Sequence, residues 1–269
     1  MKILIFGDVY GRIGRAAIKK ELPLLKEKYK PDFVIANVDN ITSRRGPIEK
    51  HILEMENIGI DIMTGGDHIF DNVDRIEKYL DSEDSKLIRP ANFYELEKYP
   101  LSGKGYKIFE KKGKKILVIH LLGEVFMNHR VINPFIKVDE ILETTKDENI
   151  DGIIVDFHKE ATAEGYGLGF HLDGRVSFLY GTHTHIQTND ELILPKGTGL
   201  ISDVGMNGPL FSVIGADYKS VEKRFLTGIS KGKIKQSLDK EYVVNGAIVE
   251  IDEEKKCSNI EKIRIRGVL

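Results

Sequence analysis

The feature that most constrains this chain is a recurring pair: a short apolar run, then a polar cluster at its C-terminal end. "ILIFGD" closes on Asp8, "FVIANVDN" on Asp39 and Asn40, and "DIMTGGDH" on Asp67 and His68. Further along, "GIIVDFH" closes on His158 and "VSFLYGTHTH" on His183 and His185. Short apolar runs alternating with amphipathic segments are the pattern of an α/β architecture. In such sheets the loops converge over the C-terminal strand edge, and ligands bind there. The pattern therefore predicts that side chains distant in sequence gather at one edge.

Strands are predicted at Ile3–Phe6, Phe33–Asn37, Ile60–Thr64, Leu87–Arg89, Tyr106–Glu110, Lys115–Leu121, Gly152–Phe157 and Val176–Tyr180. Helices are predicted at about Gly14–Tyr29, Pro47–Ile58, Asn72–Leu80, Val138–Thr145, Ala161–Leu168 and Tyr218–Leu226. "ELILPKGTGLISDVG" reads as two strands around a turn, and the last residues alternate like antiparallel strands. Lys111–Lys115 reads as a hairpin turn. No Pro/Gly/Ser-rich linker separates the βα-rich first half from the strand-rich second, so residues 1–269 are expected to form a single domain.

A formal net charge of −2 gives no general attraction to nucleic acid or anionic membrane. The single cysteine, Cys257, rules out an intrachain disulfide framework and fits a reducing compartment. The opening apolar run is too short for a signal peptide, and no window approaches a membrane span. A cytoplasmic location is expected.

The donor set is chemically specific. Carboxylates, an amide and imidazoles, without thiolate, suit manganese, iron, zinc or similar divalent ions. There are too many donors for one tetrahedral ion, whereas a pair bridged by a carboxylate would use them all. Any one cluster alone has a plainer reading, as a strand-end turn or a helix cap. Five at equivalent strand ends point to a site. Arg12, Arg15, Arg44 and Arg45 are candidates for meeting a substrate anion, and His129 for reaching substrate from its loop. His120 reads equally as a core or a cleft residue. His51 reads as structural, and His171 has no evident partner.

This order of clusters resembles the calcineurin-like metallophosphoesterase superfamily: Gly-Asp, a bridging carboxylate, Gly-Asn-His, a lone His, then Gly-His-x-His. "GDVYGRIGR", "LIRPANF", "DFHKEATAEG", "GTHTHIQT", "LPKGTGLISDVGMNGP" and "SVIGAD" are similar to the YmdB-type bacterial phosphodiesterases over nearly the whole chain. The resemblance implies an α/β fold in which helices flank two packed β-sheets. It implies a dinuclear centre of divalent or mixed-valence ions, iron or manganese first, zinc or magnesium next. Asp8 and His185 would bind one ion, Asp39 would bridge, and Asp67, His158 and His183 would complete the second. Asn40 would bind metal or steady the bridging solvent. The implied activity is hydrolysis of cyclic nucleotides, 2′,3′-cyclic and also 3′,5′-cyclic, through a metal-bridging hydroxide. His68 would be the general acid, oriented by Asp71, and Asn40 a further donor to the phosphoryl group. Short RNA ends and a homo-oligomeric assembly are further expectations, and no membrane is.

The chain departs from the family twice. Asp39 stands where Glu is usual, and Asp67 where the family has Asn. The added carboxylate should tighten metal binding and weaken the Lewis acidity that substrate meets. A phosphomonoesterase, or a weakly active or non-catalytic regulatory or RNA-associated protein, are the rival readings.

Overall fold

The computed structural model describes residues 1–43, 45–229 and 232–269; Arg44 lies outside them. The first half runs β1 (Lys2–Phe6), β2 (Asp8–Val9), α1 (Gly11–Tyr29), β3 (Phe33–Asn37), α2 (Glu49–Ile58), β4 (Ile62–Thr64), a 3-10 turn (Val73–Arg75), α3 (Glu77–Leu80) and β5 (Leu87–Ile88). Next come β6 (Tyr106–Lys111), β7 (Lys114–Leu122), α4 (Pro134–Thr144), β8 (Gly152–His158), α5 (Thr162–His171) and β9 (Phe178–Thr182). The chain ends with β10 (Leu192–Ile193), β11 (Gly199–Ile201), β12 (Met206–Pro209), α6 (Tyr218–Thr227), β13 (Glu241–Ile251) and β14 (Cys257–Val268).

Among the described residues these strands form two sheets. One runs β2-β12-β13-β1-β3-β4-β5, with β14 on β13; the other runs β10-β11-β9-β8-β7-β6. Alternation along β1 explains the layering. Ile3 and Ile5 face the second sheet, in a core with Phe33, Ile35, Ile116, Ile154 and Phe178. Leu4 and Phe6 face the opposite way, onto Ile13, Ala17 and Leu22 of α1 and Ile52 of α2. The far face of the second sheet packs Leu117, Ile119 and Val155 against Val138 of α4 and Leu168 of α5. Strands buried on both faces read as continuous apolar runs, and the layers are helix, sheet, sheet, helix. Residues near the N-terminus and near the C-terminus share the middle core.

Parallel pairing of β1 with β3 and β3 with β4 brings their C-terminal ends together. Parallel pairing of β8 with β9 does the same in the second sheet. The placement of Asp8, Asp39, Asp67, His158 and the His183–His185 turn follows from these two alignments.

Several boundaries differ from the sequence reading. Helix α1 starts at Gly11, because Gly11 takes φ +56° and turns the chain directly out of β2. Helix α2 starts at Glu49. The predicted Asn72–Leu80 helix is broken: Ile76, at φ −136°, leaves helical geometry to bury its side chain. Helix α4 starts at Pro134, capped by Asn133, whose Oδ1 accepts from the amides of Phe135 and Ile136. Helix α5 covers Thr162–His171. Strands β2 and β12 carry no periodic signal and exist by pairing, Met206 of β12 opposite Asp8 of β2 and Gly208 of β12 opposite Val243 of β13. Among the described residues no helix is long and apolar enough to cross a membrane.

Candidate metal centre

The predicted ligands gather in two adjacent groups, joined where the His183 amide donates to Asp8 Oδ2. In one, Asp8 Oδ1 lies 3.6 Å from His185 Nε2 and 3.5 Å from the Asn40 amide nitrogen. In the other, His158 Nε2 lies 3.1 Å from Asp67 Oδ1 and 3.2 Å from His183 Nδ1, with His183 Nδ1 3.7 Å from Asp67 Oδ1. Donors placed tetrahedrally around an ion at about 2.1 Å would stand roughly 3.4 Å apart, which matches this triad. Asp39 adjoins the second group, its Oδ2 3.8 Å from His158 Nε2. The Asp39 Oδ1 accepts from the His68 amide, while the buried Oδ2 has no hydrogen-bond partner among the described residues. An orphaned carboxylate oxygen inside a ring of donors is suited to a cation. Gly66 keeps the space open: a Cβ there would lie 2.5 Å from Asp39 Cγ and 2.6 Å from His158 Nε2.

Each of the three imidazoles is anchored by its outward nitrogen. His158 Nδ1 lies 2.9 Å from Thr182 Oγ1, whose own hydroxyl donates to buried Asp156, so the ring must donate here. Asp156 also accepts from Thr64 and Asn37. The His185 Nδ1–H donates to the Ile214 carbonyl at 2.9 Å. His183 Nε2 faces Glu160 at 3.2 Å. In every case an oxygen acceptor holds the outer nitrogen and turns the inner one toward the carboxylates, the orientation metal-binding histidines require. Sequence reasoning missed Thr182, Asp156 and Glu160. Thr182 and Glu160 adjoin predicted ligands within "GTHTH" and "FHKE", but nothing marks their direction.

The field around the cluster favours a cation. Burial works against charge on His158, yet the Asp67 hydrogen bond and the charges of Asp39, Asp8 and Asp67 push it up to about 10. Burial opposes ionisation of Asp8 and Asp67 too, but their histidine partners hold both carboxyls well below the usual range. Asp39, buried and facing two other carboxylates, is raised well above it. Burial and the His158 charge push His183 down to about 4.

The turn carrying the two histidines is strained. His183 has φ +100° and His185 φ +68°, unusual for residues with a Cβ. Thr184 between them donates both its amide and its hydroxyl to Asp203 Oδ2, at 3.0 and 2.8 Å. Asp203 is itself buried, with its Oδ1 accepting from the Gly205 amide. Buried Lys159 donates to the Ser202 carbonyl and supplies counter-charge nearby. Asp203 and Lys159 were also missed.

His68 follows β4 in a turn, its Nδ1 2.9 Å from Asp71 Oδ2. It lines a cavity of about 440 Å³ together with Asn40, Asp67, His183 and His185. Other noted residues lie elsewhere. Arg15 pairs with Glu54 and donates to the Ile41 carbonyl. The Arg12 amide meets Gln236. Neither these arginines nor Arg45 lines the cavity. His129 packs on Phe93. His120 is wholly buried behind His158. His51 bonds Thr42. His171 does have a partner, Asp139 at 2.9 Å, supplied by α4 from far away in sequence. Burial pushes the Cys257 thiol up to about 12, which leaves it inert.

Several known proteins are similar to this chain. The sequence model of the YmdB-like protein family matches residues 4–263. A Bacillus subtilis (strain 168) protein called 2′,3′-cyclic-nucleotide 2′-phosphodiesterase is 39% identical, over 98% of this chain and 97% of its own. A solved structure from Mycoplasma pneumoniae, described as a novel phosphatase, has a TM-score of 0.89 at 34% identity, covering 100% of this chain and 94% of that one. A hypothetical protein from Thermus thermophilus has a TM-score of 0.88 at 31% identity, covering 99% of each chain.

Proposed function

The chain belongs to the YmdB-like family, and we propose that it is a dinuclear-metal phosphodiesterase that opens 2′,3′-cyclic nucleotides. One observation carries the reading. Three imidazoles, each anchored on its outer side by an oxygen, turn their inner nitrogens toward three carboxylates beside an open cavity.

Asp8 and His185 would hold one ion and Asp67, His158 and His183 the other, with Asp39 shared; its Oδ2 has no hydrogen-bond partner among the described residues. Iron or manganese suits this mixed oxygen and nitrogen set. When bound, such ions supply Lewis acidity to the phosphoryl oxygens and lower the pKa of water. The protein's own part is positioning. Asn40, held against Asp8, offers its amide to the phosphoryl group. His68 stands at the cavity wall with Nδ1 fixed by Asp71, so Nε2 can carry the proton that the departing 2′- or 3′-oxygen needs.

The test is turnover by manganese-loaded full-length protein of 2′,3′-cyclic AMP, 3′,5′-cyclic AMP and p-nitrophenyl phosphate. The reading expects hydrolysis of the 2′,3′-cyclic substrate, with 3′,5′-cyclic AMP a slower substrate. Two bound ions with no diester turnover would instead make the protein a binding module. Faster turnover of the monoester than of either diester would make it a phosphomonoesterase.

A further inference from the structure

We propose that the cavity beside the metal centre is a nucleobase site, in which Phe225 stacks on the base and Arg224 reaches its polar edge. The proposal rests on the phosphodiesterase reading and says what recognises the rest of the substrate.

The cavity has two unlike halves. Its floor is the charged cluster; its wall is built by Val213, Ile214, Ala216, Val221, Phe225 and Ile234. Hydrolysing a phosphodiester requires nothing apolar, so this wall faces some other part of the substrate. The wall is fixed to the floor. The Ile214 carbonyl takes the His185 Nδ1–H, and the Tyr10 ring sits edge-on to His185 at 5.7 Å. Gly215 lies flat on the Tyr10 ring, where an added Cβ would be 2.5 Å away. Any phosphate held at the metal ligands is therefore a set distance from the wall.

Phe225 is 69% exposed at the rim, on helix α6, and Arg224 beside it makes no ion pair among the described residues. An open aromatic face next to an uncommitted guanidinium is a pairing used to hold bases by stacking and edge hydrogen bonds. About 440 Å³ falls within the range of small-molecule pockets, roughly 300–1,000 Å³. A cyclic nucleotide seated with its cyclic phosphate on the floor has one planar, largely apolar part left, the base. The wall is where that base would go.

The experiment compares Phe225→Ala and Arg224→Ala with the parent protein, all full-length and manganese-loaded. The first readout is the ratio of kcat/KM for 2′,3′-cyclic AMP to kcat/KM for methyl p-nitrophenyl phosphate, a diester without a base. Base stacking at this site predicts a fall in that ratio of about 10-fold or more for Phe225→Ala, expressed in KM, with partial rescue in Phe225→Tyr. The second readout is saturation transfer from protein to the base protons of adenosine, which has no phosphate. Measured on the same proteins after chelation, free of paramagnetic manganese, it should be present with the parent protein and lost in both variants. An unchanged ratio with retained saturation transfer overturns the proposal. So does a change in sedimentation on substitution without a change in the ratio, which would make Phe225 part of a contact between copies. If the parent protein hydrolyses no cyclic nucleotide yet shows saturation transfer, the phosphodiesterase reading fails and the base site stands.

Discussion

At His158 the atom that faces the cluster is decided by Thr182. The Thr182 hydroxyl is committed to Asp156, so its oxygen can only accept, and the imidazole must place its proton on Nδ1. Thr182→Val removes that acceptor. Manganese affinity measured by chelator competition should fall about 10–100-fold, the usual cost of losing such a support; unchanged affinity would show the ring needs no anchor. His68 has a different role in the proposed mechanism: its ring comes within 3.9 Å of Asp67 and is held by Asp71. His68→Ala should slow turnover of 2′,3′-cyclic AMP by roughly 10²–10⁴-fold while elemental analysis still finds the parent's metal content. Loss of metal in that variant would make His68 a ligand instead. The candidate ligands stand out in the sequence because each follows an apolar run. Their supports do not: Asp156 lies within the apolar run "GIIVDFH", and its partners Thr64 and Asn37 come from the other sheet.

Among the elements, the His183–His185 turn is the one under tension. Two positive φ values outside glycine cost on the order of 1–3 kcal/mol each, and Asp203 holds the turn through both the amide and the hydroxyl of Thr184. Asp203→Ala leaves the part-buried Thr184 amide unpaired, a loss of about 1–3 kcal/mol. The thermal midpoint should drop by several degrees and manganese affinity should fall with it; Asp203→Asn, which keeps one acceptor, should recover part of both. A midpoint and affinity equal to the parent's would mean the turn holds itself. Such a tether is invisible in sequence, because it depends on β11 lying parallel beside β9. The same reasoning covers the misjudged elements. Long amphipathic helices and alternating strands announce themselves through periodicity, whereas β2 is defined by its pairing with β12, and β12 by its pairing with β2 and β13. The break at Ile76 reflects a side chain captured by the core, against the local helical pattern.

For the whole molecule, three carboxylates converge, and protons on His158 and His185 supply counter-charge to them. His158 sits at about 10 in the fold against an ordinary 6.5. That proton's contribution is fully present below pH 6.5 and is lost as pH rises toward 10. The ion-free protein therefore weakens over that range, while bound ions, which displace the proton, escape the loss. The gain in thermal midpoint on adding manganese to chelated protein should be larger at about pH 8 than at about pH 6. A gain that shrinks with rising pH would contradict the charge assignment. The catalytic reading depends on where cations settle. Anomalous diffraction at the manganese edge, from crystals of the loaded protein, answers that directly. Two peaks are expected, one against Asp8 and His185 and one among Asp67, His158 and His183, with Asp39 between them. A single peak, or ions lodged away from these side chains, would contradict a dinuclear centre.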